Sequence, residues 1–429
     1  MNFELLFCIL HFAFYIVIVA RTIFTALDVG TSTVQTVVAE KLRGENDLRI
    51  LGIGIAPSAG VRRGVVVDLE DASASISQSV QEAQRSSGLK LKSACVAVSG
   101  SHISVGSSKG VVAVSRADGE ISPEDVRRAI GAAETFVTRN PNKAILHMIP
   151  RDFKVDNEAG IKDPMGMHGV RLEVDTLIIE CSASFLKNLF KCVEGAGMAV
   201  QDYVFAPLAA SYSVLSKRQR ELGVMLLDIG GGIASFIVFE EGVPMHAGVV
   251  PIGGNLITND VAIGFRTHVD VAERIKLAYG SCLPDELPKR ESVRLAEFIP
   301  EETAVFARRE LAEIIEARMR DIFELLQKEL KKIDRKQLLP AGVILVGGSS
   351  SLPGLIDLTR KEMELPVEIG FPPATEAPDA AIAPSLATVL GAIHWQEMRM
   401  QQAGGGSWPH RANELSKKPW VQWLRSLLP

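Results

Sequence analysis

Positive charge is not in excess in this chain. Its 46 Lys and Arg are outnumbered by 51 Asp and Glu, for a net charge of −5 over 429 residues. The basic footprint that nucleic-acid binding leaves is missing, so no nucleic-acid partner is expected. Cysteine is scarce: Cys8, Cys95, Cys181, Cys192 and Cys282 make five, an odd number without a Cys-x-x-Cys pair. That excludes a disulfide framework and suggests a reduced, cytosolic protein. The eight histidines form no His-x-x-x-His and no His/Cys pairing, so no metal cage of protein ligands is legible. What remains is ordinary globular material, 47% hydrophobic and 23% charged, long enough for two or more domains with real cores.

One long apolar run stands out, "LLFCILHFAFYIVIVA" (Leu5 to Ala20). It is slightly short for a membrane span, which needs roughly 17–25 residues. It lacks the basic start and small-residue cleavage site of a signal peptide. Only Arg21 and Thr22 separate it from the first expected strand. Three readings stay open: a translation start that truly lies near Val17 or Val19, a membrane anchor, or a buried extra helix. Residues 1–22 are set apart as an N-terminal extension.

From Ile23 to Ala56 the pattern predicts three antiparallel strands, "IFTALDVG", "VQTVVAE" and "LRILGIGIA", with a turn at Arg43–Asp47. "DLEDASASISQSVQEAQRSSG" predicts a helix closed by Gly88. Residues 93–180 read as a separate α/β module. Its parts are strands near "SACVAVSG", "GVVAVSR", "AILHMIPRDFKV" and "RLEVDTLIIEC", a helix capped by Ser122 and Pro123, and a glycine-rich loop at Ala159–Gly169. An amphipathic helix, "SFLKNLFKCVEGAGM", returns the chain to the first domain. In the second half, Glu302–Asp334 predicts a long helix whose Leu311, Ile314, Ile315, Ile322, Leu326 and Ile333 fall on one stripe. A buried strand follows at "AGVILVGGSSSLPGL". After "WQEMRMQQAGGGS" the globular pattern stops, and 401–416 has the composition of a flexible linker.

Two hairpins carry an acid and glycines at their tips. "FTALDVGTSTVQTVVAE" holds Asp28, Gly30, Thr31 and Ser32; "VMLLDIGGGIASFIVFEEG" holds Asp228, Gly230, Gly231 and Gly232. Glycine lets backbone N–H groups approach an anion, and the Thr31 and Ser32 hydroxyls could join them around phosphate oxygens. Asp28 and Asp228 would then hold, through water, an Mg²⁺ bridging the phosphates. Taken singly, each hairpin is also readable as a plain turn. Glu273 and Lys276, at i and i+3 on "VDVAERIKLAYGS", could reach the two edges of a ribose, or form a solvated surface pair. Gly347, Gly348 and Ser349, after a buried strand, could let the chain pass flat against a purine, or merely turn it into a helix. The four elements in this order point together to a nucleotide.

The order Asp28-x-Gly30-Thr31, Asp228-x-Gly230-Gly231-Gly232, Glu273-x-x-Lys276, Gly347-Gly348-Ser349 resembles the actin/DnaK-type ATPases, an α/β fold of two similar domains closing on ATP. Within that superfamily the chain resembles the bacterial cell-division family FtsA. The resemblance covers about Ile23 to Trp395 plus the C-terminal tip. It is carried by the module, "GIKDPMGMHGVRL", "LAASYSVL" and "ELGVMLLDIGGG". It implies duplicated RNase H-like domains: 1A (23–92 and 181–222), the inserted 1C or SHS2-like module (93–180), 2A (223–260 and 336–400) and 2B (261–335). It also implies ATP and Mg²⁺ as ligands and self-association into filaments. The partners it implies are FtsZ and later division proteins, at the cytoplasmic face of the inner membrane and at the septum. The actin-like PilM of type IV pilus assembly is the alternative, and a small-molecule kinase a distant one.

Relatives of this fold that hydrolyse ATP well carry a water-orienting carboxylate or amide; in DnaK-type chaperones and MreB a glutamate precedes the proline that opens the connecting helix. Here "YVFAPLAASYSVL" has Ala206 before Pro207, and alanine cannot orient a water. ATP is expected to act as an assembly ligand with slow or negligible turnover, so no catalytic residue is assigned. At the C-terminus, "KKPWVQWLRSLLP" places Trp420, Trp423, Leu424, Leu427 and Leu428 on one helical face. Lys417, Lys418 and Arg425 lie off that face. Beyond a linker, 417–429 reads as a membrane-targeting helix for anionic lipid, too short to be stable alone in water.

Overall fold

The computed structural model describes residues 21–42, 48–137, 140–373 and 383–402. The apolar N-terminal run, the Arg43–Asp47 turn, the linker from 403 and the C-terminal tip lie outside the described residues.

Strands β1 (Arg21–Val29), β2 (Thr33–Leu42) and β3 (Arg49–Pro57) form an antiparallel meander. β2 is buried almost end to end, as a central strand covered on both faces must be, whereas the edge strand β3 alternates. Helix α1 (Leu69–Ser87) begins at Asp68, whose carboxylate accepts from the Glu70 and Asp71 amides, and ends at left-handed Gly88. Its Ala72, Ile76, Val80 and Ala83 recur at helical spacing and are buried. β4 (Ser93–Val98) then pairs in parallel with β1.

The chain next leaves the sheet. β5 (Ser104–Ala113), α2 (Pro123–Val137), β6 (Lys143–Val155), β7 (Glu158–Ile161) and β8 (Arg171–Ser182) build a four-stranded antiparallel sheet, order β5-β8-β6-β7, with one helix. Alternation on β8 serves two cores. Leu172, Val174 and Ile178 pack with Val126, Ile130 and Phe153 inside the module. Leu177, Ile179 and Cys181 join the core of the first lobe. The expected start of the module at 93 is therefore too early: Ser93–Val98 hydrogen-bonds into the first lobe's sheet, and the module's own sheet begins at Ser104.

Helix α3 (Ala183–Gly195), capped by the Ser182 hydroxyl, leads to β9 (Ala199–Phe205), which completes a sheet of order β9-β4-β1-β2-β3. Helix α4 (Ala206–Val214) follows, with Pro207 in its first turn.

The second lobe repeats the plan. β10 (Val224–Ile229), β11 (Ala234–Glu240) and β12 (Val243–Val250) form the meander. Helices α5 (Gly254–Gly264), α6 (Val269–Tyr279) and α7 (Arg308–Lys332) intervene. β13 (Val343–Val346), α8 (Leu355–Met363) and β14 (Val367–Ile369) complete the order β12-β11-β10-β13-β14. The long helix runs Arg308–Lys332 and starts later than the expected Glu302, because Val305–Ala307 pairs with Ser292–Arg294 as a short ribbon. Leu311, Ile315, Ile322 and Leu326 of the stripe are buried; Ile314 and Ile333 are half-buried against the same core.

The last helix, α9 (Ala387–Gln402), packs on β1, β2 and β4 of the first sheet, while α4 packs on β10 and β11 of the second. The last helix thus rests on the other lobe's sheet, and α4 lies between the two sheets, also against β4 and β9 of its own. The two helices cross closely: a Cβ at Gly391 would sit 1.9 Å from the Ala209 carbonyl oxygen.

Candidate nucleotide cleft between the lobes

The two acid-tipped hairpins turn in the same way. The Gly30 amide donates to the Thr33 carbonyl at 3.0 Å, and the Gly230 amide to the Ile233 carbonyl at 3.0 Å. Asp28 faces Gln35 across its hairpin, and Asp228 faces Ser235 across the other. The tips come from different lobes and touch. A Cβ at Gly231 would lie 2.0 Å from Ser32 Oγ, and one at Gly232 would lie 2.4 Å from Thr31 Oγ1. Only glycine permits that approach.

The tips open into a cleft of about 500 Å³, lined by every nucleotide-site candidate singled out in the sequence: Asp28, Gly30, Thr31 and Ser32; Asp228 and Gly230 to Gly232; Glu273 and Lys276; Gly347, Gly348 and Ser349. Within it the Thr31 hydroxyl accepts from the Gly64 amide at 3.0 Å, and the Ser32 hydroxyl donates to Asn255 Oδ1 at 3.1 Å. Lys276 is buried. Its Nζ lies 2.6 Å from Glu273 Oε2 and donates to Thr258 Oγ1 at 2.9 Å. Gly347 has φ +87°, and a Cβ there would lie 2.3 Å from Asp228 Oδ1, so this turn needs glycine for both backbone and space.

The electrostatics centre on the two aspartates. Loss of water in the cleft, and then the charge of Asp228, push Asp28 up from 3.8 to about 7. Loss of water also pushes Asp228 to about 6, opposed by the hydrogen bond from Thr388. Two carboxylates so disposed are suited to a cation between them. Among the described residues no group of three or more His, Cys, Asp or Glu could hold a metal ion. Two carboxylates would leave a cation held there to complete its coordination with water and phosphate, as Mg²⁺ can.

Asn255, Thr258 and Thr388 were missed in the sequence. For Asn255 a signal existed: it follows Gly253 and Gly254 at the start of α5, just after a strand, and its amide donates to the Gly231 carbonyl at 2.7 Å. For Thr388 there was none, because its meeting with Asp228 depends on how α9 returns. Ala206 lines the cleft as the first residue of α4, so no carboxylate stands at that position.

Duplicated five-stranded sheets, crossing helices and a cleft between acid-tipped hairpins define an actin-like ATPase fold. Solved structures agree on the fold. The chain matches the PilM–PilN type IV pilus biogenesis complex at TM-score 0.64 and 17% identity, covering 87% of this chain and 98% of that one. It matches MreB 5 of Spiroplasma citri bound to AMPPNP at TM-score 0.51 and 13% identity, covering 90% and 99%. In sequence, the family description "Cell division protein FtsA" matches residues 225–391, and "SHS2 domain inserted in FTSA" matches 100–180. FtsA of Pseudomonas aeruginosa is 37% identical over 81% of this chain and 82% of its own length; FtsA of Borreliella burgdorferi is 38% identical over 93% and 97%. The chain belongs to the FtsA family of cell-division proteins. Among the described residues no helix is long and apolar enough to cross a membrane.

Proposed function

We propose that this protein binds Mg-ATP in the cleft and uses it to control assembly, polymerising on the cytoplasmic face of the inner membrane, where it holds the FtsZ ring at the septum and recruits later division proteins. The observation that carries the reading is the placement of Asp28 and Asp228, one from each lobe, at the tips of two equivalent turns lining one cleft. A ligand gripped there couples the lobes, because each half of the grip belongs to a different sheet. The Gly30 and Gly230 amides close their own turns; the amides of Gly231 and Gly232, with the Thr31 and Ser32 hydroxyls, would take the phosphates. Glu273 and Lys276 would take the ribose, and Gly347 to Ser349 would lie along the purine. Bound Mg²⁺ would neutralise phosphate charge.

Two supports come from outside the cleft itself. The AMPPNP-bound MreB shares the fold, and the FtsA relatives are division proteins. Ala206 supports a scaffold over a fast ATPase: a methyl group cannot orient a water, and orientation is a large part of phosphoryl transfer. The basic tryptophan segment at Lys417–Leu428 supplies a reversible lipid contact, strengthened by avidity once subunits assemble. The deciding experiment is co-sedimentation of the purified chain with FtsZ and anionic vesicles, with and without Mg-ATP. ATP-dependent recovery of FtsZ in the lipid pellet is expected; FtsZ left in the supernatant under every condition would refute the reading.

A further inference from the structure

Among the described residues two polar atoms in the wall of the cleft lack a partner, and both flank Asp28. Gln35 is the direct cross-strand partner of Asp28, so the two side chains share one face of the sheet. Ser99 follows the end of β4, the strand on the other side, where Ala97 is the parallel partner of Asp28. Both residues line the cleft. Gln35 is 6% exposed, and neither its Oε1 nor Ser99 Oγ has a hydrogen-bond partner among the described residues. Buried polar atoms are nearly always bonded. Two exceptions on either side of Asp28 in a ligand cleft point to a donor that arrives with the ligand.

The chemistry of that donor can be narrowed. Phosphate oxygens only accept, and the neighbouring Asp28 carboxylate repels them. Ribose hydroxyls donate, but Glu273 and Lys276, the pair suited to a ribose, project from α6 in the other lobe. A water on a divalent cation turns its lone pair to the metal and offers both hydrogens outward, and Mg²⁺ keeps several such waters. We infer that Gln35 Oε1 and Ser99 Oγ accept hydrogen bonds from the hydration shell of the divalent cation held between Asp28 and Asp228. They are thus positioning residues for the metal. The inference rests on the Mg-nucleotide reading of the cleft and adds a selectivity to it. A cation that keeps its waters is favoured over Ca²⁺, which takes more direct oxygen ligands.

The test is isothermal titration of ATP into the full chain with Mg²⁺, with Ca²⁺ and with chelator, comparing the parent with Gln35→Met, Gln35→Lys and Ser99→Ala. Gln35→Met is expected to weaken Mg-ATP binding roughly three- to tenfold, leave metal-free ATP binding unchanged and narrow the Mg²⁺/Ca²⁺ preference; Ser99→Ala should act in the same direction. Without ligand, Gln35→Met should melt above the parent, because the partnerless oxygen is gone, and should gain less than the parent from Mg-ATP. Equal loss with and without metal, or tighter metal-free ATP binding by Gln35→Lys, would overturn the inference, since either outcome puts this side chain on phosphate. If the parent binds ATP and Gln35→Met keeps the parent's metal dependence, this inference alone fails. If the parent binds no nucleotide under any condition, the reading of the cleft falls with it.

Discussion

The Thr388 hydroxyl donates to Asp228 Oδ2 at 3.0 Å. This ties the first turn of α9 to the acidic tip of the second hairpin. Further along the same helix, Arg399 Nε lies 3.1 Å from Asp202 Oδ2, and the Trp395 ring nitrogen donates to that same oxygen at 3.2 Å. One rigid helix therefore joins the candidate cation site in the second lobe to β9 in the first.

The aspartate pair makes a prediction about pH. Asp28 and Asp228 stand at about 7 and about 6 in the fold against 3.8 unfolded. Between those values the folded state keeps protons that the unfolded chain has lost. The ligand-free protein should thus lose stability from this pair as pH rises from about 4 to about 7. A cation between the carboxylates removes that penalty. The rise in thermal midpoint on adding Mg-ATP should be small near pH 5 and grow to a plateau above pH 7. Thr388→Val, which removes the hydrogen bond that lowers Asp228, should move the curve to higher pH. Asp228→Ala should weaken Mg-ATP binding outright. A midpoint gain that is flat with pH would rule the pair out as the cation site.

Two glycines make predictions of different kinds. Gly391→Ala would place a methyl 1.9 Å from the Ala209 carbonyl oxygen, forcing α4 and α9 apart at a cost of about 1–3 kcal/mol, readable by urea denaturation. Gly347→Ala meets Asp228 Oδ1 and a left-handed backbone together, so nucleotide titration should show a larger loss than the melting curve alone suggests.

Turnover should be below about 1 s⁻¹, the low end of ordinary enzymes, because Ala206 occupies the cleft where a carboxylate would orient water. Ala206→Glu should raise single-turnover hydrolysis, by up to roughly 10²-fold if the carboxylate reaches the water. Unchanged hydrolysis with binding intact would show that a missing carboxylate is not what limits the reaction.

The inserted module is expected to lie in the contact between successive subunits. Its removal has to spare Ser93–Val98, which belongs to the first lobe's sheet. Replacing residues 103–180 by a short glycine linker should leave an ATP-binding remainder that forms no filaments on lipid, as seen by electron microscopy. Filaments from that variant would place the contact elsewhere.

Trp420 to Leu428 should supply reversible attachment to anionic lipid. Five large apolar side chains offer roughly 1.5–3 kcal/mol each before ordering costs. Lys417, Lys418 and Arg425 add about 1 kcal/mol apiece near an anionic surface. Trp423→Glu, in a chain beginning at Val19, should stay in the supernatant of a vesicle pellet assay while binding ATP normally. Salt should release monomers before polymers.

Local chemistry by itself determined much of this protein. The Asp-x-Gly tips, the meanders beside them, the capped helix ending at Gly88 and the stripe on α7 depend on periodicity and on backbone freedom within a few residues, so the chain displays them directly. The same holds for Glu273 and Lys276, one helical turn apart. Tertiary structure alone decided which sheet receives Ser93–Val98, since an apolar six-residue run fits either sheet equally well. It decided that α4 and α9 pack across the seam between the lobes and that Thr388 reaches Asp228. It also decided that Gln35 and Ser99 flank Asp28 with oxygens that have no partner among the described residues. Each of these is a meeting of surfaces distant along the chain, set by how whole layers pack, and no local pattern encodes it.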